Sequence, residues 1–260
     1  MRPKRNLFEI DYLVFSSYKS ATQTVSHSLR SNGIPAFHCH SLENRNIELS
    51  PGNLADFLAD YRSHNDRPLN IVTIFREPLQ RYISAFFQWH GQGVIRNKLI
   101  GDIADTLIYQ KTAKELQEIF LKEVHDEKLI GQGESIDLIC KELGLSIDQL
   151  NYREASHLGL LELPACRLFS LRFDQLFEAN RFESILSQIT GRPFSMHQWN
   201  IGATKWYADR YADFKATLAI PEPTIRKIYH SKQAILDHFY PGQFDRLLSE
   251  AITQYQPKRY

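Results

Sequence analysis

The run YKSATQT at 18–24 holds one lysine, Lys19, followed closely by the hydroxyl side chains of Ser20, Thr22 and Thr24. Lysine is a compact point charge and hydroxyls are small donors, so this grouping suits an anion such as a phosphate. A second cation, Arg76, opens REPLQRYISAFF at 76–87. Its planar fork suits bidentate contact with another phosphate, with Ser84 two helical turns further along. Two separate phosphate sites imply a ligand phosphorylated at two places. His38 and His40, in FHCHS at 37–41, are two apart and would point to the same side of an extended chain. A neutral imidazole is a suitable base for a hydroxyl near pH 7. Two histidines alone lack further ligands at a recognisable spacing, so no metal site is expected.

Secondary structure must place these groups. Residues 11–17 are apolar and β-rich, which predicts a buried strand, and 22–31 predict a helix with Val25 and Leu29 on one face. Lys19 through Thr24 then occupy a strand-to-helix turn, where free N–H groups and the helix dipole favour an anion. Asn32 and Gly33 stop the helix, and 34–42 predict a second strand. Ser50 and Pro51 predict the start of a helix that continues through 53–64, with Leu54, Phe57, Leu58 and Tyr61 inward. LNIVTIF at 69–75 is apolar on both faces, as a central parallel strand must be, and a helix opened by Pro78 follows it. Residues 91–160 predict a mostly helical, charged region with amphipathic segments at 112–124 and 135–144. A strand at 166–173 and a helix at 178–191 come after it. This alternation implies an α/β fold with three α/β/α layers around a central parallel sheet. Ligands of such sheets sit outside the carboxyl ends of the strands, and Lys19 and Arg76 each follow a strand, so they are expected on one edge.

The length fits one large domain over 1–260, in which 91–160 would shape an acceptor pocket. Lys and Arg number 31 against 30 Asp and Glu, a balance that argues against a nucleic-acid partner. Cys39, Cys140 and Cys166 form no CxxC pair, so buried inert thiols in a reducing compartment are expected. The basic N-terminus leads into a short, interrupted apolar run with no cleavage-site pattern, and no window is long enough for a membrane span. A soluble, cytoplasmic protein without stable membrane insertion is the expectation.

The two basic motifs together resemble the sulfotransferases that use 3'-phosphoadenosine 5'-phosphosulfate (PAPS), a family sharing the P-loop nucleotide-kinase architecture. Their 5'-phosphosulfate loop reads approximately KxGTT, matched here by Lys19, Ser20, Ala21, Thr22, Gln23 and Thr24, with Ala21 where glycine is usual. A left-handed backbone at that alanine would cost about 1 kcal/mol or more. Their 3'-phosphate site reads approximately RxPxxRxxSxF, matched by Arg76, Pro78, Arg81, Ser84 and Phe86. RFDQL at 172–176 is similar to the RYEDL closing a later strand of that family, and TGRPF at 190–194 to the turn after its next helix. NIGATKWYADRY at 200–211 resembles the NKWYS-type motif of bacterial capsular-polysaccharide synthesis proteins, the carbohydrate-directed branch.

The resemblance implies transfer of a sulfuryl group from PAPS to a hydroxyl of a carbohydrate acceptor of unspecified identity. Adenosine 3',5'-bisphosphate is the other product, and no metal is required. Lys19 would stabilise the leaving phosphate, His38 or His40 would act as base, and the family context leans toward His38. Lys205 would contact the 3'-phosphate from a late loop, with Trp206 or Tyr207 stacking on adenine. A kinase on the same architecture would require GxxxxGK[ST], which the loop lacks. A nucleotide- or glycan-binding protein without turnover is the third reading.

Overall fold

In the computed structural model, which describes residues 7–40, 54–96, 106–126, 134–178, 181–197, 205 and 207–256, the apolar run at 69–75 is the middle of a five-stranded sheet. The chain divides into two compact units, Met1–Arg76 with Gly133–Asn200 and Glu77–Gln132 with Ile201–Tyr260.

The first unit begins with β1 (Tyr12–Phe15), α1 (Thr22–Ser31), β2 (Ala36–Cys39), α2 (Leu54–His64) and β3 (Leu69–Phe75). The chain passes through α3 (Pro78–Arg96), α4 (Leu107–Gln110) and α5 (Ala113–His125) in the second unit. It then returns for α6 (Ser135–Leu143), β4 (Leu158–Glu162), β5 (Cys166–Arg172), α7 (Phe173–Leu176) and α8 (Arg181–Thr190). The strand order is β2-β1-β3-β5-β4. The first four run parallel, and β4 is an antiparallel edge on β5.

This is the expected α/β architecture with one correction. The last three residues of the stretch expected to be mostly helical, 91–160, begin a strand, Leu158–Glu162. Its alternating burial fits an edge strand with one face against the core. The predicted helix start at Ser50 and Pro51 falls outside the described residues.

Layering follows from the crossovers. β2 lies on one side of β1 and β3 on the other, so right-handed connections send α1 and α2 to opposite faces of the sheet. On the α1 face Val14, Val72, Ile74 and Leu171 pack with Val25 and Leu29 of α1 and with Ile185 and Leu186 of α8. The alternate residues, Leu13, Phe15 and Ile71, face the other way and are at most 1% exposed. There α6 packs on β3 and on α2. The helix stop at Asn32 and Gly33 is realised: Gly33 takes a φ of 71° and donates its N–H to the Arg30 carbonyl at 2.9 Å.

The regular elements of the second unit among the described residues are helices, with α9 (Ala208–Thr217), α10 (Glu222–His230), α11 (Gln233–Phe239) and α12 (Phe244–Tyr255) joining α3 to α5. Phe86, Phe87, Phe120 and Phe214 form its aromatic centre. α3 is capped by Glu77, whose carboxylate accepts from the Leu79 and Gln80 N–H groups and from the Tyr229 hydroxyl at 2.6 Å. The capping box predicted by no motif above is at Thr112 and Glu115, where hydrogen bonds from Thr112 and Lys111 hold the Glu115 carboxyl down to about 2.

The three cysteines are free and buried, as expected, and burial pushes their thiols up: Cys39 to about 12, Cys140 and Cys166 to about 11. Among the described residues no helix is long and apolar enough to cross a membrane.

Candidate functional site

The edge formed by the carboxyl ends of β1, β2 and β3 gathers most of the groups singled out in the sequence. β1 and β3 flank the point where the strand order reverses, the usual place for a ligand crevice in an open parallel sheet. Their backbone pairing ends at Val14 opposite Val72. Beyond it Ser16 takes over with its side chain, donating to the Ile74 carbonyl at 2.7 Å and accepting from the Ile74 N–H at 2.9 Å. Ser16 is fully buried, so this exchange replaces a rung of the ladder and lets the main chain of residue 17 onward leave the sheet.

The departing loop is tightly shaped. Lys19 and Ala21 both have left-handed backbones, with φ of 68° and 59°. Ala21 is the N-cap of α1 and supplies no side-chain cap. Turns that contain left-handed residues can direct successive backbone N–H groups into a concavity that binds anions. The first N–H groups of α1 add to it. Ser20 and Thr22 are 0% and 2% exposed, and neither hydroxyl oxygen has a hydrogen-bond partner among the described residues. A buried hydroxyl left unpaired costs about 1–3 kcal/mol, so two of them at one helix start point to an acceptor supplied from outside the chain. Thr24 is also buried, whereas Gln23 is exposed.

Ala21 carries the strain that glycine would avoid. Changing Ala21→Gly relieves about 1–2 kcal/mol of left-handed cost and adds about 0.4–1 kcal/mol of unfolded-chain freedom. The expected result is a net stabilisation of about 0.5–1 kcal/mol, read as a rise of one to a few degrees in thermal unfolding.

Arg76 stands directly after β3. Its Nη1 donates to the Lys19 carbonyl at 2.9 Å, and its guanidinium lies 4.2 Å from the ring centre of Phe173. Phe173 follows Arg172, which is the register partner of Phe75 and is chelated by Asp174. The fork expected to serve a phosphate is thus tied to the loop that carries Lys19.

His38 belongs to β2, opposite Val14, and His40 lies just past the strand end, with 6.0 Å between the two ring centres. His40 Nδ1 lies 2.6 Å from the Ser16 carbonyl oxygen. A carbonyl only accepts, which assigns the proton to Nδ1 and leaves the lone pair on Nε2. The Tyr18 ring covers His40 at 4.2 Å, and burial lowers the imidazole pKa, the Ser16 bond opposing it only in part. Burial and the Ser16 carbonyl thus favour a neutral imidazole with its proton on Nδ1 at this edge.

Sequence reasoning missed a second buried network. The Ser17 hydroxyl donates to the Glu134 carboxylate at 3.0 Å and accepts from the Ser135 N–H at 2.9 Å. Glu134 is 2% exposed and precedes α6, so the start of that helix anchors the residue two before Lys19. The only signal was the buried serine pair at 16–17 in an otherwise apolar strand.

The remaining residues lie in the second unit. Ser84 is buried on α3, and Arg81, the second arginine of the motif, is 1% exposed with its guanidinium over the Tyr82 ring. Lys205 has its ammonium 5.7 Å from the centre of the Tyr207 ring, and Tyr207 is buried. Trp206 and residues 198–204 fall outside the described residues. His90, a further histidine of the aromatic run, pairs with Glu123 at 2.9 Å. No group of three or more His, Cys, Asp or Glu able to hold a metal occurs among the described residues. Neither a family of known proteins, nor a curated protein, nor a solved structure matches the chain.

Proposed function

We propose that the chain is a sulfotransferase that moves a sulfuryl group from PAPS to a hydroxyl of a carbohydrate acceptor. The observation that carries the reading is the pair of buried hydroxyls of Ser20 and Thr22, without a partner among the described residues, at a helix start with no side-chain cap beside Lys19. That loop supplies donors for the 5'-phosphosulfate, and the basic motif beginning at Arg76 supplies a match to the family's 3'-phosphate site. His40 supplies a base with its lone pair on Nε2.

In the proposed reaction the acceptor oxygen attacks sulfur in line and the bond from sulfur to the phosphate oxygen breaks. The acceptor proton passes to His40 Nε2. Negative charge gathers on the leaving phosphate, where Lys19, the loop N–H groups and the hydroxyls of Ser20 and Thr22 stabilise it. The protein forms no covalent bond to the transferred group.

The test is a thermal-shift titration with adenosine 3',5'-bisphosphate, 5'-AMP, ADP and ATP, the last two with and without Mg²⁺. A ligand at about a hundred times its dissociation constant stabilises by about 2.7 kcal/mol, several degrees for a chain of this length. The expected result is a larger shift with the bisphosphate than with any other nucleotide, independent of Mg²⁺. A Mg²⁺-dependent shift with ATP and none with the bisphosphate would sink the reading in favour of phosphoryl transfer.

A further inference from the structure

We propose that Arg76 is a positioning residue of the anion loop, holding the Lys19 carbonyl across the β1–β3 crevice so that the loop keeps the backbone that points its donors at the 5'-side of the ligand. The inference rests on the sulfotransferase reading and adds to it, because the motif alone assigns Arg76 only to the 3'-phosphate.

The connections between the β1 and β3 sides toward the carboxyl edge include three that are made differently. Val14 pairs with Val72 through the backbone, Ser16 reaches Ile74 through its hydroxyl, and Arg76 reaches the Lys19 carbonyl through its guanidinium. The last is the longest side chain and meets the loop at Lys19, the first of its two left-handed residues. Such conformations persist only when surrounding contacts over-determine them. A hydrogen bond from a charged donor is stronger than a neutral one, and a carbonyl held by it fixes the orientation of the Lys19–Ser20 peptide, hence of the Ser20 N–H. Phe173 in turn fixes the plane of the guanidinium, with the ring 4.2 Å away. The RFDQL motif thereby gains a role: its aromatic residue orients the arginine that orients the loop.

The experiment uses a ligand without a 3'-phosphate. Affinities for 5'-AMP and for adenosine 3',5'-bisphosphate are measured by calorimetry on wild type, Arg76→Gln, Arg76→Lys and Phe173→Leu, with unliganded thermal unfolding as the folding control. Positioning predicts that Arg76→Gln weakens 5'-AMP about tenfold or more, although 5'-AMP offers nothing to a 3'-phosphate site. Arg76→Lys, which keeps the charge and loses the fork, weakens 5'-AMP in the same direction. Phe173→Leu, which leaves the arginine in place, weakens both ligands by similar factors. Adding Ala21→Gly to Arg76→Gln recovers part of the lost 5'-AMP affinity, because glycine adopts the left-handed backbone without strain. That recovery separates loop geometry from general destabilisation. If Arg76→Gln weakens the bisphosphate and leaves 5'-AMP at its wild-type affinity, positioning is overturned and the sulfotransferase reading stands. If wild type binds neither nucleotide, the sulfotransferase reading itself falls and takes this inference with it.

Discussion

Replacing Lys19 with methionine is expected to lower kcat of the proposed sulfuryl transfer by about 10²–10³-fold, the usual cost of removing a donor aimed at developing charge. Methionine keeps the length of the stem and bears the same cost at a φ of 68°, so the loop backbone should survive the change. Affinity for adenosine 3',5'-bisphosphate should fall much less than kcat, because the charge on the leaving oxygen exists only as the sulfur–oxygen bond breaks. Single-turnover transfer with saturating donor separates the two quantities. If kcat stays within about threefold of wild type, Lys19 has no part in the chemistry.

His40→Ala is expected to remove about 10²–10⁴-fold of turnover while leaving bisphosphate binding intact, and His38→Ala to stay close to wild type. Family context at the sequence level leaned toward His38; the geometry favours His40. The Ser16 carbonyl fixes the tautomer of His40 and leaves Nε2 as the acceptor. Burial lowers its pKa from the ordinary 6.5, so the neutral base persists below that value and the acid limb of kcat should lie below pH 6.5. Tyr18→Ala uncovers the ring and should move that limb upward, toward 6.5. The stability linkage has the same sign: with a folded pKa below the unfolded one, this contribution is fully present above pH 6.5 and is lost as pH falls through the folded value. A wild-type turnover rate in His40→Ala together with a large loss in His38→Ala would reverse the assignment.

The strand-to-helix units were legible because each carries its own signal. LNIVTIF is too evenly apolar for a surface element, and Asn32–Gly33 is a helix stop wherever it occurs after a periodic run. β4 was not legible. Its five residues include Gly159, a poor strand former, and the reason for glycine lies elsewhere in the chain: a Cβ there would come within 2.1 Å of Ser170 Oγ and 2.8 Å of the Leu150 carbonyl oxygen. Candidate residues were legible by type and position, but their hydrogen bonds were not. Ser17 meets Glu134 across 117 residues of chain, and the arginine fork meets an aromatic residue from a different strand end. Chain proximity signals neither pairing. The left-handed turn at Ala21 was foreseen only as a conditional cost, since alanine does not announce a positive φ as glycine does.

The buried thiols have a practical consequence. Cys39, Cys140 and Cys166 are all sealed from solvent and held as neutral thiols well above neutral pH, and electrophiles react with thiolates. The native chain is therefore a silent background for thiol labelling. A cysteine introduced at exposed Gln23, on the first turn of α1, would take a maleimide dye alone and report by its fluorescence whether an anion has entered the loop.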